Sequence, residues 1–177
     1  VDLKLIYLND EEKNITFFFN IKKNKNVRIT NLYVDFECST NTLVEYNVEE
    51  GAMLTVCDFA SLNTNINEYV NYYLNEKSNL IVNNLKANDN LVNGKYNVYL
   101  CGKRAECVVN NSIINTCSNV QKYNFVIHHL EKNTKSELVG YGVSKNNSIL
   151  NIDTNGIIKN GASKSEMFQK SKGIILD

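Results

Sequence analysis

Apolar and polar residues alternate with a period of two along most of the chain, as in residues 3–8, 15–21, 27–36 and 96–100. Successive side chains of an extended chain point to opposite faces, so this period predicts strands with one buried face. Residues 65–80 carry Ile66, Val70, Tyr73 and Leu74 at mixed three- and four-residue spacing. They are the one stretch that could form a helix, against their β-branched and aromatic content. The chain as a whole reads as all-β.

A phrase recurs on this pattern: a turn-like Asn/Gly/Lys cluster, a small residue, then a short alternating run. It appears at Gly51-Ala52-Met53-Leu54, Lys77-Ser78-Asn79-Leu80, Arg104-Ala105-Glu106-Cys107 and Lys135-Ser136-Glu137-Leu138. Taking Leu54, Leu80, Cys107 and Leu138 as equivalent gives steps of about 26, 27 and 31 residues, within the range of stacked-repeat architectures. Shorter copies at residues 146–152 and 160–165 fall about half a period later, as expected if each coil carries strands on two opposed sheets. Crossovers between parallel strands are right-handed in nearly all cases, so the expected fold is a right-handed parallel β-helix forming one domain, residues 1–177. An antiparallel sandwich is the alternative with similar short strands and turns.

Asn makes up about one residue in six. In a β-helix it has a use, because Asn tolerates the left-handed conformation at turns and its side chain can bond its counterpart in the next coil. With 43% hydrophobic residues the chain can bury a sizeable core. Lys+Arg 19 against Asp+Glu 19 leaves no broad electropositive face for nucleic acid or an anionic membrane. The longest apolar run, residues 15–19, is far below the ~20 residues a spanning helix needs, and no leader-like segment opens the sequence. A soluble, cytoplasmic protein is expected.

Five cysteines, Cys38, Cys57, Cys101, Cys107 and Cys117, include no CxxC pair, so neither a disulfide framework nor a zinc site is signalled. Their ordinary role is that of small buried hydrophobes. No phosphate-binding loop is present, and Gly140-Tyr141-Gly142 reads as a turn or close-packed backbone. The adjacent His128 and His129 sit in a predicted strand, where only one can face a given site. Asp35, Glu37, Asp58, Glu68 and Glu137 are scattered, unlike the clustered acids of a β-helical lyase or hydrolase. The basic run at residues 22–28 reads as a solvated turn, and the Asn-x-Ser/Thr sequons at Asn14, Asn110 and Asn146 as chance in so Asn-rich a chain.

The segment His129-Leu130-Glu131-Lys132-Asn133-Thr134-Lys135-Ser136-Glu137-Leu138-Val139, followed by Gly142-Val143-Ser144, resembles the core of the SufB/SufD family of iron–sulfur cluster assembly scaffolds. Leu100-Cys101-Gly102 upstream, and Gly156-Ile157-Ile158, Gly161-Ala162, Gln169 and Ile174-Ile175-Leu176-Asp177 downstream, follow the family's series in order. The likeness is concentrated in residues 95–177 and diffuse over 1–94, which are read as divergent N-terminal coils.

The resemblance implies a right-handed parallel β-helix and a cytoplasmic scaffold that pairs with a like subunit and an ABC-type ATPase, SufC. The family's ATPase-docking region lies beyond the strand that Asp177 matches, and where SufB-type members carry a Cys after the matched Gln this chain has Lys170. The expectation is therefore a SufD-like scaffold or accessory protein with no catalysis of its own. The C-terminal coils, near Ile157 to Leu176, are expected to form a homodimer or to pair with another SufB/SufD-like subunit. No cofactor is expected in the isolated chain, and any iron–sulfur cluster formed on it should be transient, with Cys101, Cys107 and His129 as candidate ligands. A β-helical surface or carbohydrate-binding protein is the rival reading.

Overall fold

The computed structural model describes residues 1–9, 13–36, 38–61, 64–116 and 118–176. These hold the strands β1 (Asp2–Asn9), β2 (Lys13–Ile21), β3 (Asn26–Phe36), β4 (Thr40–Val48), β5 (Met53–Ala60), β6 (Ile66–Leu74) and β7 (Asn79–Ala87). They continue with β8 (Val92–Leu100), β9 (Glu106–Asn115), β10 (Val120–His129), β11 (Lys135–Lys145), β12 (Ile149–Ile158) and β13 (Glu166–Leu176). No helix occurs among the described residues. Odd-numbered strands form one sheet in the order β1-β3-β5-β7-β9-β11-β13, and even-numbered strands form the other. Every pairing between neighbours is parallel. The chain is thus a β-solenoid of about 6 turns, each coil contributing one odd and one even strand. The parallel pairing excludes the sandwich.

The helical alternative for residues 65–80 is overturned: they form β6, a turn and the start of β7. Ile66, Val70 and Leu74 are four apart, a spacing that is also two strand repeats. In β6 these three share the buried face with Glu68 and Tyr72.

The proposed equivalence of coils holds for Leu54, Leu80 and Cys107, which pair in register. It fails at the last step, because Cys107 pairs with Ser136, and Leu138 pairs with Val109. The coil that runs from Cys107 is longer than those before it, but by fewer residues than a step to Leu138 requires. Leu138 keeps the inward direction because a two-residue slip preserves the strand face.

Each even-to-odd corner holds a residue at positive φ, in order Asn24, Gly51, Lys77, Arg104, Asn133 and Lys164, and the last corner holds Gly161 as a second. Asn at two of these corners fits the expected tolerance of the left-handed region, while Lys77, Arg104 and Lys164 adopt it without that advantage. The N–H at each of these corners, Lys164 apart, donates to a carbonyl of the next coil, as Asn24 N does to Glu50 O at 3.1 Å and Lys77 N to Lys103 O at 2.9 Å. The corners are therefore stitched as tightly as the strands. The basic run opens the first corner, where Lys22 and Lys23 pair with Glu49 and Glu50 of the next coil at 3.0 and 2.7 Å.

Asparagine ladders run along the outside: Asn67 donates to Asn41 and Asn41 to Asn14, each at 2.9 Å, and Asn75 to Asn47 at 3.0 Å and Asn47 to Asn20 at 3.1 Å. Inside, Phe19, Tyr46 and Tyr72 stack at 5.0 and 4.9 Å between successive coils. Tyr96 and Phe125 stack likewise at 4.7 Å, and aliphatic side chains such as the fully buried Val48, Leu54, Leu74 and Leu100 fill much of the rest. Burial of each such side chain contributes roughly 1.5–3 kcal/mol. Gly140-Tyr141-Gly142 lies within β11 as close-packed backbone, since a Cβ at Gly142 would come within 3.0 Å of Leu150 and Ile152. No helix among the described residues is long and apolar enough to cross a membrane.

Candidate functional site

Columns of equivalent residues show where the interior departs from its own pattern. One inner column reads Ile21, Val48, Leu74, Leu100, then His129, then Ile158. A second reads Val27, Leu54, Leu80, Cys107, then Ser136. The corner residue before β5, β7 and β9 is Ala52, Ser78 and Ala105, then before β11 and β13 Thr134 and Ser165. Three columns that are aliphatic or small thus turn polar together at the passage from β10 to β11, and there they bond one another.

His129 is fully buried. Its Nδ1 lies 2.7 Å from Thr134 Oγ1 and its Nε2 lies 2.9 Å from Ser136 Oγ. Thr134 Oγ1 donates to Glu131 O at 3.1 Å and also meets Ser165 Oγ at 2.8 Å. A threonine whose proton goes to a carbonyl accepts from the imidazole, so the consistent tautomer carries its proton on Nδ1 and takes the Ser136 hydroxyl proton at Nε2. Burial pushes the His129 pKa below its ordinary value, which favours this neutral form. The result is a satisfied relay, Ser136 to His129 to Thr134 to Glu131, sealed inside the solenoid.

Of the candidate ligands, the structure brings Cys107 and His129 to one interior region through Ser136, the register partner of Cys107 and hydrogen-bond partner of His129. Cys101 follows the buried Leu100 at a half-exposed corner. Burial raises both thiols, Cys107 to about 12, so each is held as a thiol and not as the thiolate that ligates metals. Of the described cysteines only Cys107 is fully buried, which corrects the expectation of buried small hydrophobes for Cys38, Cys57 and Cys101. Cys117 lies outside the described residues, as do Glu37, Asp177 and the side chain of Asp35. No group of three or more His, Cys, Asp or Glu among the described residues is placed to hold a metal ion.

His128 faces the other way, stacked on Tyr99 at 4.7 Å, which stacks on Tyr73 at 5.1 Å. Lys170 is exposed on β13 and pairs with Val139, while Gln169 pairs with the buried Leu138.

The acids scattered in sequence are not all scattered in space. Asp58 and Glu68 are both buried near Lys86, whose Nζ reaches both Glu68 oxygens at 3.1 and 3.2 Å and lies 5.0 Å from the Tyr33 ring centroid. Tyr96 Oη also donates to Glu68, and Asn31 Nδ2 to Asp58. Parity in the sequence points to this cluster: Glu68 shares its alternation with Val70 and Tyr72, and Lys86 with Val82 and Asn84, all of them inward.

Residues 10–177 match the family model described as SUF system FeS cluster assembly, SufBD core domain. No curated protein matches the chain. The family match extends over almost every coil of the solenoid, including those that precede the polar corner.

Proposed function

The chain belongs to the SufBD core-domain family of the SUF system for iron–sulfur cluster assembly, and from that premise we propose that it is a SufD-like scaffold or accessory subunit without catalysis of its own. The family match over residues 10–177 carries this reading. Two features of the chain support the non-catalytic form. Lys170, an exposed ammonium, stands where SufB-type members carry a Cys. The inward Cys107 is a protonated thiol beside a serine, a poor donor set for a cluster that is cargo.

The pairing surface is β12 and β13, where Ile157, Ile158, Phe168, Ile174 and Ile175 are exposed. The proposed partner there is a second copy or another SufB/SufD-like subunit, with a SufC-type ATPase completing the assembly in the cytoplasm. A carbohydrate-binding surface is less well supported. The outer aromatic row Tyr73, Tyr99 and His128 stacks face to face, so the ring faces on which sugars pack are covered by neighbouring rings.

Co-expression with SufB- and SufC-type subunits tests the reading. The chain should co-purify with them, speed cluster formation on the partner, and bind iron itself well below one cluster per chain. A chain that stays monomeric by light scattering at high micromolar concentration, ignores both subunits and binds immobilised glycans would overturn it. A stoichiometric cluster lost in Cys101→Ser or Cys107→Ser would overturn the non-catalytic form alone.

A further inference from the structure

Another inner column runs Asn31, Asp58, Asn84, Asn111 on consecutive odd strands and then reaches Gly140, which has no side chain. All four polar residues are buried. Asn31 Nδ2 donates forward to Asp58 Oδ1, and Asn84 Nδ2 donates forward to Asn111 Oδ1 at 2.7 Å. In this arrangement the rung between Asp58 and Asn84 lacks a donor, so that Asn84 Oδ1 is a buried acceptor with no partner, and at the far end of the column Asn111 Nδ2 is a buried donor with none. With the amides so oriented, an ionised carboxylate, which offers only acceptors, cannot complete this rung, whereas a protonated one can.

We propose that Asp58 holds a proton in the folded protein at neutral pH, its O–H donating to Asn84 Oδ1, so that the interior around β5, β6 and β7 is a proton-binding site.

Charge balance reaches the same answer independently. Two carboxylates, Asp58 and Glu68, share one ammonium, Lys86, and all three are at most 4% exposed. Lys86 is engaged by both oxygens of Glu68. Full ionisation would leave one uncompensated negative charge in an apolar interior, which costs far more than a neutral acid. The other titratable groups facing the cluster are Tyr7 of β1, Tyr33 of β3, Tyr46 of β4, and Tyr72 and Tyr96 of β6 and β8. Burial raises them all, so they remain uncharged phenols and supply no compensating charge. The Asp58 acid is raised as well, chiefly by burial, with Lys86 opposing.

The consequence is a stability term with a defined sign. An acid raised in the folded state stabilises fully below the ordinary carboxylate value, and that contribution is lost as the pH rises through the folded value. The proton thus locks the inner ladder, and its release loosens the coils that contain it.

Infrared spectroscopy of the whole chain at pH 7 tests this, because exposed carboxylates are then ionised and a carboxylic acid C=O stretch reports only a protected one. A band should be present, should shift when aspartate but not glutamate is isotopically labelled at its side-chain carbonyl, and should vanish in Asp58→Asn; it should weaken in Glu68→Gln, which frees Lys86 to pair with an ionised Asp58. The amide in Asp58→Asn can donate at every pH, so that variant should also lose the Asp58 share of the fall in thermal midpoint with rising pH. The isotope shift needs no variant and decides the case if a variant fails to fold. Absence of the band would overturn the proposal, meaning an ionised Asp58 with the amides of Asn84 and Asn111 turned to donate towards it. A band that shifts only with labelled glutamate would overturn it by placing the proton on Glu68.

Discussion

Leu100 and His129 are register partners on adjacent strands of the even-numbered sheet, and both are fully buried. A leucine at His129 would therefore fit its column, yet it would leave Ser136 Oγ without the imidazole that it meets at 2.9 Å. Orphaning a buried hydroxyl costs about 1–3 kcal/mol. His129→Leu should be destabilised by that amount in urea unfolding, and His129→Leu with Ser136→Ala should recover most of it. A double variant no more stable than the single would mean that the imidazole itself, and not the hydrogen bond, fills the corner.

The buried imidazole also sets an acid limit. His129 is lowered below the ordinary 6.5 by burial, and so is His128. The unfolded chain takes up these protons first, so the histidine contribution is fully present above about pH 6.5 and is lost as the pH falls through the folded values. With only two histidines, the imidazole resonances can be followed singly in wild type and in His128→Asn. His129 should titrate below His128's ordinary range and together with the loss of native signals. Free titration at or above 6.5 without unfolding would contradict the sealed network.

Much of this architecture was legible in the sequence because a solenoid repeats its own constraints. Period-two runs gave the strands, and the small residue before each run, as at Ala52, Ser78 and Ala105, marked corners that the structure places one above another. Register was less legible. Leu138 matched Cys107 in chemistry, but a two-residue slip keeps a strand's buried face, so hydrophobicity alone could not separate Leu138 from Ser136 as the equivalent. The polar corner is half visible for the same reason: His129 stands out in the sequence as one of two histidines, while Ser136, its partner, looks like any residue of a turn phrase. Asp58, Glu68 and Lys86 are far apart in sequence, and only the stacking of coils brings them together.

The Lys86 and Glu68 pair should behave as a unit. Removing one partner of a buried pair strands the other charge, and such losses run to about 3–5 kcal/mol. Lys86→Met should cost that much. Glu68→Gln keeps an acceptor for Tyr96 Oη while discarding the charge, so Lys86→Met with Glu68→Gln should be markedly more stable than Lys86→Met alone. Additive losses in the double variant would show that the two side chains do not compensate each other.

The corner residues make the last prediction, which concerns backbone and not chemistry. Gly51 and Arg104 occupy equivalent corners with φ of 67° and 60°. A side chain at Gly51 meets two penalties: the left-handed conformation costs roughly 1–2 kcal/mol for an L-residue, and its Cβ would lie 2.3 Å from Asn24 Oδ1. Arg104 already bears the first penalty, and its side chain is exposed, so little packing is lost when it is removed. Against that gain, glycine loses more backbone entropy on folding, about 0.5–1 kcal/mol. The strain relieved is the larger of the two, so Arg104→Gly should be neutral to stabilising by up to about 1 kcal/mol. Gly51→Ala should be destabilising, by the conformational term less the same entropy offset and by the displacement of the Asn24 side chain in addition. Urea unfolding of the two variants side by side checks both signs, and a destabilised Arg104→Gly would mean that its side chain, and not its backbone, holds that corner.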